Sequence, residues 1–199
     1  MQILHMPQNR VCLVIGLGNP GDTYKKTRHN AGFMGVDEIA NAYSILLEKR
    51  KFNVLFGRGF IECIEVILAK PMAFMNRSGE PIKKIANYFR IPSEDMLVIH
   101  DDIDLAFGRL KIKEKGGHGG HKGISSLIDA FGEKNFDRLR IGIGRPEADI
   151  SVSDHVLDRF TPFEMEEMDL ILKRARDAVV TILCKGTKYG MNIFNKKEL

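Results

Sequence analysis

The sequence predicts an α/β protein: a single domain in which a mixed, twisted central sheet carries helices on both faces, with a C-terminal helix near the site. Three observations predict it. Continuous apolar runs at Val11 to Ile15 (VCLVI) and Met96 to Ile99 (MLVI) read as strands buried on both sides. Segments with apolar residues at helical spacing alternate with such runs along the chain, as in sheets covered by helices. A β-rich pair within residues 52–69 reads as a hairpin, which makes the sheet mixed. The 199 residues, 44% hydrophobic and 28% charged, are enough for one core and exclude a disordered or collagen-like chain. One domain over residues 1–199 is expected, with 1–10 a flexible extension.

After the first strand comes a polar loop, Gly16 to His29. From Asn30 to about Leu47 the residues Phe33, Val36, Ile39, Ala40, Tyr43 and Leu46 keep a helical period, with Asn30 placed as the cap. The hairpin is expected to turn around Gly57 and Gly59. Ile82, Ile85, Ala86 and Phe89 mark a second helix that stops before Pro92, and the strand MLVI follows. Arg109 to Lys113 alternates cations with apolar residues, a strand with one charged face. The glycine-rich GGHGGHKG, residues 116–123, interrupts it. Ile124, Leu127, Ile128 and Phe131 form a third helix, Leu139 to Ile143 a further strand, and Pro162 to Lys185 a long final helix with Gly186 at its stop.

No run approaches a membrane span, and MQILHMPQNR lacks the apolar core of a secretory signal, so a soluble, cytoplasmic protein is expected. Cys12, Cys63 and Cys184 form no CxxC pair and are expected to be reduced, mostly buried thiols. The net charge of +4 is too small to demonstrate a polyanionic partner by itself. Its distribution says more: between Gly108 and Gly123 stand Arg109, Lys111, Lys113, Lys115 and Lys122 against Glu114 alone. Cations beside a glycine-rich loop are what a phosphate backbone exploits, whereas a merely solvated strand face is the plainer reading.

GLGNPG has the glycine spacing of a dinucleotide fingerprint, but a helix must begin at those glycines, and DTYKKTRHN has no apolar stripe to pack. The alternative is that Asn19, able to donate and accept, is held at a strand's C-terminal end, where open α/β sheets place ligands. His29 stands just before the first long helix, whose positive end keeps an imidazole neutral and able to take a proton from water. Asp101 and Asp102 follow another strand, so if the two strands are parallel one carboxylate reaches His29. Asp101, Asp102 and Asp104 with His118 or His121 are the alternative, a cation site, although HDDID and HGGH match no ligand spacing of known signatures. No GxSxG elbow is present.

Together GLGNPG, YKKTRHNAGF, FMNRSG, IHDDID, GGHGGHKG, FDRLRIGIGRP and MNIFN, in this order over about residues 11 to 195, resemble the bacterial-type peptidyl-tRNA hydrolases. The resemblance implies hydrolysis of the ester between a peptide and the 3′ end of tRNA by a metal-independent enzyme without cofactor. It implies His29 as general base, Asp101 as its partner, Asn19 as the group sensing the blocked amino end, and Tyr24, Phe74 and Asn76 as substrate contacts. Lys122 stands where the family usually has Asn, and is also expected to touch substrate. Arg109, Lys111 and Lys113 are expected to contact tRNA phosphates. No obligate protein partner is evident, and a monomer is expected. An RNA-binding module on the same fold, with weak or no catalysis, is the competing reading, motivated by Lys122.

Overall fold

Successive residues of the strand Val11–Gly16 (β1) point to opposite faces of the sheet, and both faces are buried: Cys12 and Val14 enter one apolar cluster, Leu13 and Ile15 the other. In the computed structural model, which describes residues 11–146 and 149–196, β1 is the central strand of a seven-stranded sheet. The expected extension, residues 1–10, lies outside the described residues. The other strands are Lys49–Lys51 (β2), Val54–Ile61 (β3), Ile64–Pro71 (β4), Met96–Asp102 (β5), Leu110–Lys113 (β6) and Asp137–Gly142 (β7). Their order across the sheet is β2-β3-β4-β1-β5-β7-β6. β1 runs parallel to β4 and β5, and β5 parallel to β7, while β2–β3, β3–β4 and β6–β7 are antiparallel. The sheet is therefore mixed, as the hairpin predicts.

Among the described residues six α-helices complete the fold: Ala31–Ala42 (α1), Gly79–Phe89 (α2), Lys122–Phe131 (α3), Val152–Leu157 (α4), Pro162–Lys185 (α5) and Thr187–Phe194 (α6). α1 and α5 bury Val36, Ile39, Met168, Ala175 and Val179 on one face of the sheet; α2 and α3 bury Ile82, Ile85, Ile124 and Leu127 on the other. The long α5 has the predicted bounds because Thr161 and Glu164 form a reciprocal capping box, Pro162 opens it and Gly186 closes it. The short α4, which the sequence reading did not foresee, lines the site with Val152, Val156 and Leu157, and α3 with its first residue, Lys122; the first turn of α5 is tied to the site loop by Glu164, which accepts from Arg28.

Other elements differ from expectation for local reasons. α1 ends at Ala42, not near Leu47, because Ser44 takes a left-handed φ of 54° and Ile45 N–H turns back to the Ala40 carbonyl. The hairpin turns at Glu62, φ 52°, and not at the glycines, which lie inside β3; a side chain on Gly57 would collide with the Leu46 carbonyl, so glycine serves close packing there. α6 was not anticipated. Of the thiols only Cys12 is buried, Cys63 being exposed and Cys184 intermediate. No helix among the described residues is long and apolar enough to cross a membrane.

Candidate active site

The ends of β1 and β5 lie side by side because the strands are parallel neighbours, with Gly16 in register with Ile99. Ligands bind outside such carboxyl ends. Leaving β1, the chain must pass close under α1, and Gly16 permits this, since a Cβ there would strike the Gly32 carbonyl. Two short turns, Asp22–Tyr24 and Arg28–Asn30, replace the helix that a dinucleotide site needs.

Asn30 does not cap α1 with its side chain. Its Oδ1 accepts from the Asn19 N–H at 2.8 Å and its Nδ2 donates to the Asn19 carbonyl at 2.9 Å, clamping the loop. The Asn19 Oδ1 in turn accepts from the Met75 N–H at 2.8 Å. A backbone donor fixes that oxygen's identity, so Nδ2 is the group Asn19 can offer to a ligand. Arg28, buried beside His29, donates to both Glu164 oxygens at 3.1 and 2.9 Å and to the Arg159 carbonyl at 3.0 Å, joining this loop to the start of α5.

His29 Nδ1 lies 2.9 Å and 3.0 Å from the two Asp101 oxygens, and both residues are buried. His121 Nε2 lies 3.0 Å from Asp101 Oδ1. The His121 Nδ1 accepts from the Gly123 and Ile124 N–H groups as the N-cap of α3, so Nε2 carries the proton and donates to the carboxylate. With His29 Nδ1–H as the second donor, His29 Nε2 is left as a lone-pair acceptor. Burial alone would raise the Asp101 carboxyl, but the charge interaction and hydrogen bonds with His29 and His121 prevail and hold it well below the usual carboxylate range. His100, stacked edge-on against His121 at 4.7 Å, is held well below the ordinary imidazole range by burial first and by His121 second. Neutral His100 donates from Nδ1 to the Asp101 carbonyl at 2.7 Å, and its buried Nε2 has no partner.

The three groups His29, Asp101 and His121 are close enough to hold a metal ion, with ligand atoms within 4.8 Å of one another. Their chemistry opposes it: His121 Nε2 can bind a cation only if Nδ1 takes up the proton, and two backbone N–H groups point at Nδ1. Asp102 and Asp104, the other carboxylates of the expected cation site, are paired with Arg140 and Arg145.

Asn19, Tyr24, His29, Phe74, Asn76, Asp101 and Lys122 all line one cavity of about 520 Å³, together with Met75, His118, His121, Val152 and Leu157. The seven predicted catalytic and substrate-contact residues are thus brought together. Lys122 is the first residue of α3, where a cation opposes the helix dipole. Lys111 and Lys113 are paired across β6–β7 with Arg140 and Arg138, and alternation puts all four on one sheet face. Arg109 is separated from them: β6 begins only at Leu110, and Arg109 lines another cavity, of about 480 Å³, with Glu167, Arg174 and Lys196. The sequence reading assigned no site role to Asn30, Met75 or Arg138, whose guanidinium holds the glycine loop by the Gly116 and Gly117 carbonyls at 2.5 and 2.8 Å. It treated His121 only as a possible metal ligand; its place directly before an apolar helical stripe was the signal for a cap.

Comparison with known proteins matches residues 13–199 to the family model described as peptidyl-tRNA hydrolase. A peptidyl-tRNA hydrolase of Bacillus pumilus is 45% identical over 183 residues, 92% of this chain and 97% of that protein. One of Clostridium perfringens is 43% identical over 92% of this chain and 96% of its own. The crystal structure of peptidyl-tRNA hydrolase from Acinetobacter baumannii superposes with a TM-score of 0.87 at 40% identity, covering 94% of this chain and 96% of that one.

Proposed function

The chain belongs to the peptidyl-tRNA hydrolase family, and from that premise we propose that it hydrolyses the ester joining a peptide, or an N-blocked amino acid, to the 3′ end of tRNA, recycling tRNA from peptidyl-tRNA released by stalled ribosomes. The observation that carries the reading is the buried His29–Asp101 pair opening on the cavity. His29 Nε2 takes a proton from water as the oxygen attacks the ester carbonyl. The ionised Asp101 stabilises the imidazolium that forms. When the tetrahedral intermediate collapses, the C–O bond to the ribose breaks and the leaving oxygen takes the proton back from His29. Water supplies OH to the peptide acid and H to the tRNA hydroxyl.

Asn19 Nδ2 donates to a carbonyl oxygen of the blocked amino acid, and Asn76, Tyr24 and Phe74 hold the peptide end. A free aminoacyl-tRNA lacks the peptide carbonyl and brings an ammonium, which meets an unpaired donor at Asn19 and the cation of Lys122. Lys111 and Lys113 contact tRNA phosphates; Arg109 takes no part in that patch. The enzyme acts in the cytoplasm as a monomer. The non-catalytic alternative, an RNA-binding module, is disfavoured by the intact pair at His29.

A release assay with N-acetylaminoacyl-tRNA and free aminoacyl-tRNA, with and without chelator, tests this. Cleavage of the blocked substrate is expected to dominate and to survive chelation, and Asn19→Asp to narrow the discrimination. Equal cleavage of both substrates would remove the role of Asn19.

A further inference from the structure

At the sheet edge opposite β6, strand β2 exposes three consecutive cations, Lys49, Arg50 and Lys51, none paired with a carboxylate among the described residues. Lys51 Nζ lies 3.8 Å from the centre of the Tyr88 ring and 5.3 Å from that of Phe52, and the two rings meet edge-on at 6.0 Å. Both aromatics are exposed, Phe52 by 41% and Tyr88 by 53%. Charges on an edge strand are commonly explained as protection against unwanted strand pairing. That explains the cations and leaves the aromatics unexplained. It also leaves the backbone unexplained: Phe52 and Asn53 have φ of 52° and 60°, a left-handed turn in which glycine is at ease and a bulky aromatic is strained. The fold bears this strain to display a ring that it does not bury.

We propose that Lys49, Lys51, Phe52 and Tyr88 form a second RNA-binding surface, on which an unpaired nucleobase stacks while its phosphates meet the lysines. Exposed aromatics interleaved with cations are the chemistry of single-strand binding, and a polyanion complements a patch whose sole sequence-adjacent acid is Glu48. The register of β2–β3 puts Lys49 and Lys51 on the face of Phe56 and Val54, the face that α2 covers, so the lysines flank Tyr88. Position links the patch to the active site. β4 is parallel to β1, so its last residue, Pro71, lies at the same end of the sheet as Asn19, and Val54 pairs with Pro71. The Asn53 carbonyl accepts from the Met72 N–H at 2.8 Å, two residues before Phe74 in the cavity wall. An RNA laid across this end meets β6 cations on one side and the Phe52 turn on the other, six strand spacings or about 29 Å apart. The proposal rests on tRNA being the substrate.

The test is fluorescence anisotropy of a labelled single-stranded oligouridylate with the full-length protein at several salt concentrations. Phe52→Gly removes the ring and the backbone strain together, so affinity is expected to fall roughly five-fold or more while the melting temperature does not fall. Lys51→Gln is expected to flatten the salt dependence by about one unit. Hydrolysis of an N-blocked aminoacyl ester on a short 3′ oligonucleotide is expected to be unchanged in both variants. Unaltered affinity in both variants would overturn the surface, and is the outcome expected if the patch holds a protein or peptide. Absence of hydrolysis in wild type with affinity lost in the variants would overturn the proposed activity and not the surface.

Discussion

Asp101 receives two imidazole N–H groups, and the two histidines have different duties because their second nitrogens face different things. His121 Nδ1 faces the backbone of α3 and is fully used; His29 Nε2 faces the cavity and is free to accept a proton. Behind them His100 must stay neutral, since its buried Nε2 has nothing to receive a proton's charge. An unfolded His100 titrates near pH 6.5, and the folded one below that. Between those values the unfolded chain holds the extra proton, so stability is complete above about pH 6.5 and declines as pH falls, by up to about 1.4 kcal/mol per pH unit for this one group. His100→Asn keeps a donor for the Asp101 carbonyl and removes the titration. Urea unfolding between pH 7 and 5 is expected to show a shallower loss in the variant, and equal slopes would assign the acid sensitivity elsewhere. Asp101, with its carboxyl far below the usual range, stays ionised through this window and contributes no slope there.

At the scale of elements, two devices hold the site in place. One is the junction of the His29 turn with α5, in which Glu164 serves both as capping-box residue and as partner of buried Arg28. Burial would raise the Glu164 carboxyl, but the Thr161 backbone and Arg28 hold it below its ordinary value. Glu164→Ala leaves Arg28 buried with only exposed Asp158 and a carbonyl, and is expected to destabilise the fold by about 2–4 kcal/mol in chemical denaturation. A loss under about 0.5 kcal/mol would show that the junction is dispensable. The second device is β6 with β7, which ranks Lys111 and Lys113 beside Arg138 and Arg140 on one face. Arg138 and Arg140 are already engaged, by the glycine loop and by Asp102, so on the proposed function the lysines are the cations that meet phosphate. Lys113→Gln is expected to lower tRNA affinity at low salt and reduce the salt slope by about one unit, and Arg109→Gln to leave that slope unchanged. Equal effects of the two substitutions would contradict the separation of Arg109 from the patch.

Across the whole molecule, the sequence is most informative where one residue type has one physical use. Buried strands such as VCLVI, the capped α5 and the placement of His29 just before α1, within reach of Asp101 at the end of β5, were readable because burial, caps and parallel pairing each leave a local mark. Where a residue has several uses, sequence alone was a poorer guide: Gly57 and Gly59 looked like a turn and allow close packing, Asn30 stands at the N-cap of α1 as expected but spends its side chain on clamping Asn19, and alternation alone joined Arg109 to the face of the lysines. α4, six residues long, is too short to show a helical period, and its position over the cavity depends on contacts with the Arg28–Asn30 turn, far away in the chain. The double role of His121 was hidden because its two nitrogens engage a carboxylate 20 residues away and the next turn of its own helix.

The central claim is that water is activated by His29 and that the RNA is held by other residues. Release of N-acetylaminoacyl groups from tRNA by wild type and His29→Ala, with tRNA affinity measured on the same preparations, tests both halves together. Turnover is expected to fall by about 10²- to 10⁴-fold with affinity kept within about two-fold. Turnover retained by His29→Ala, or lost only in proportion to RNA affinity, would contradict the account.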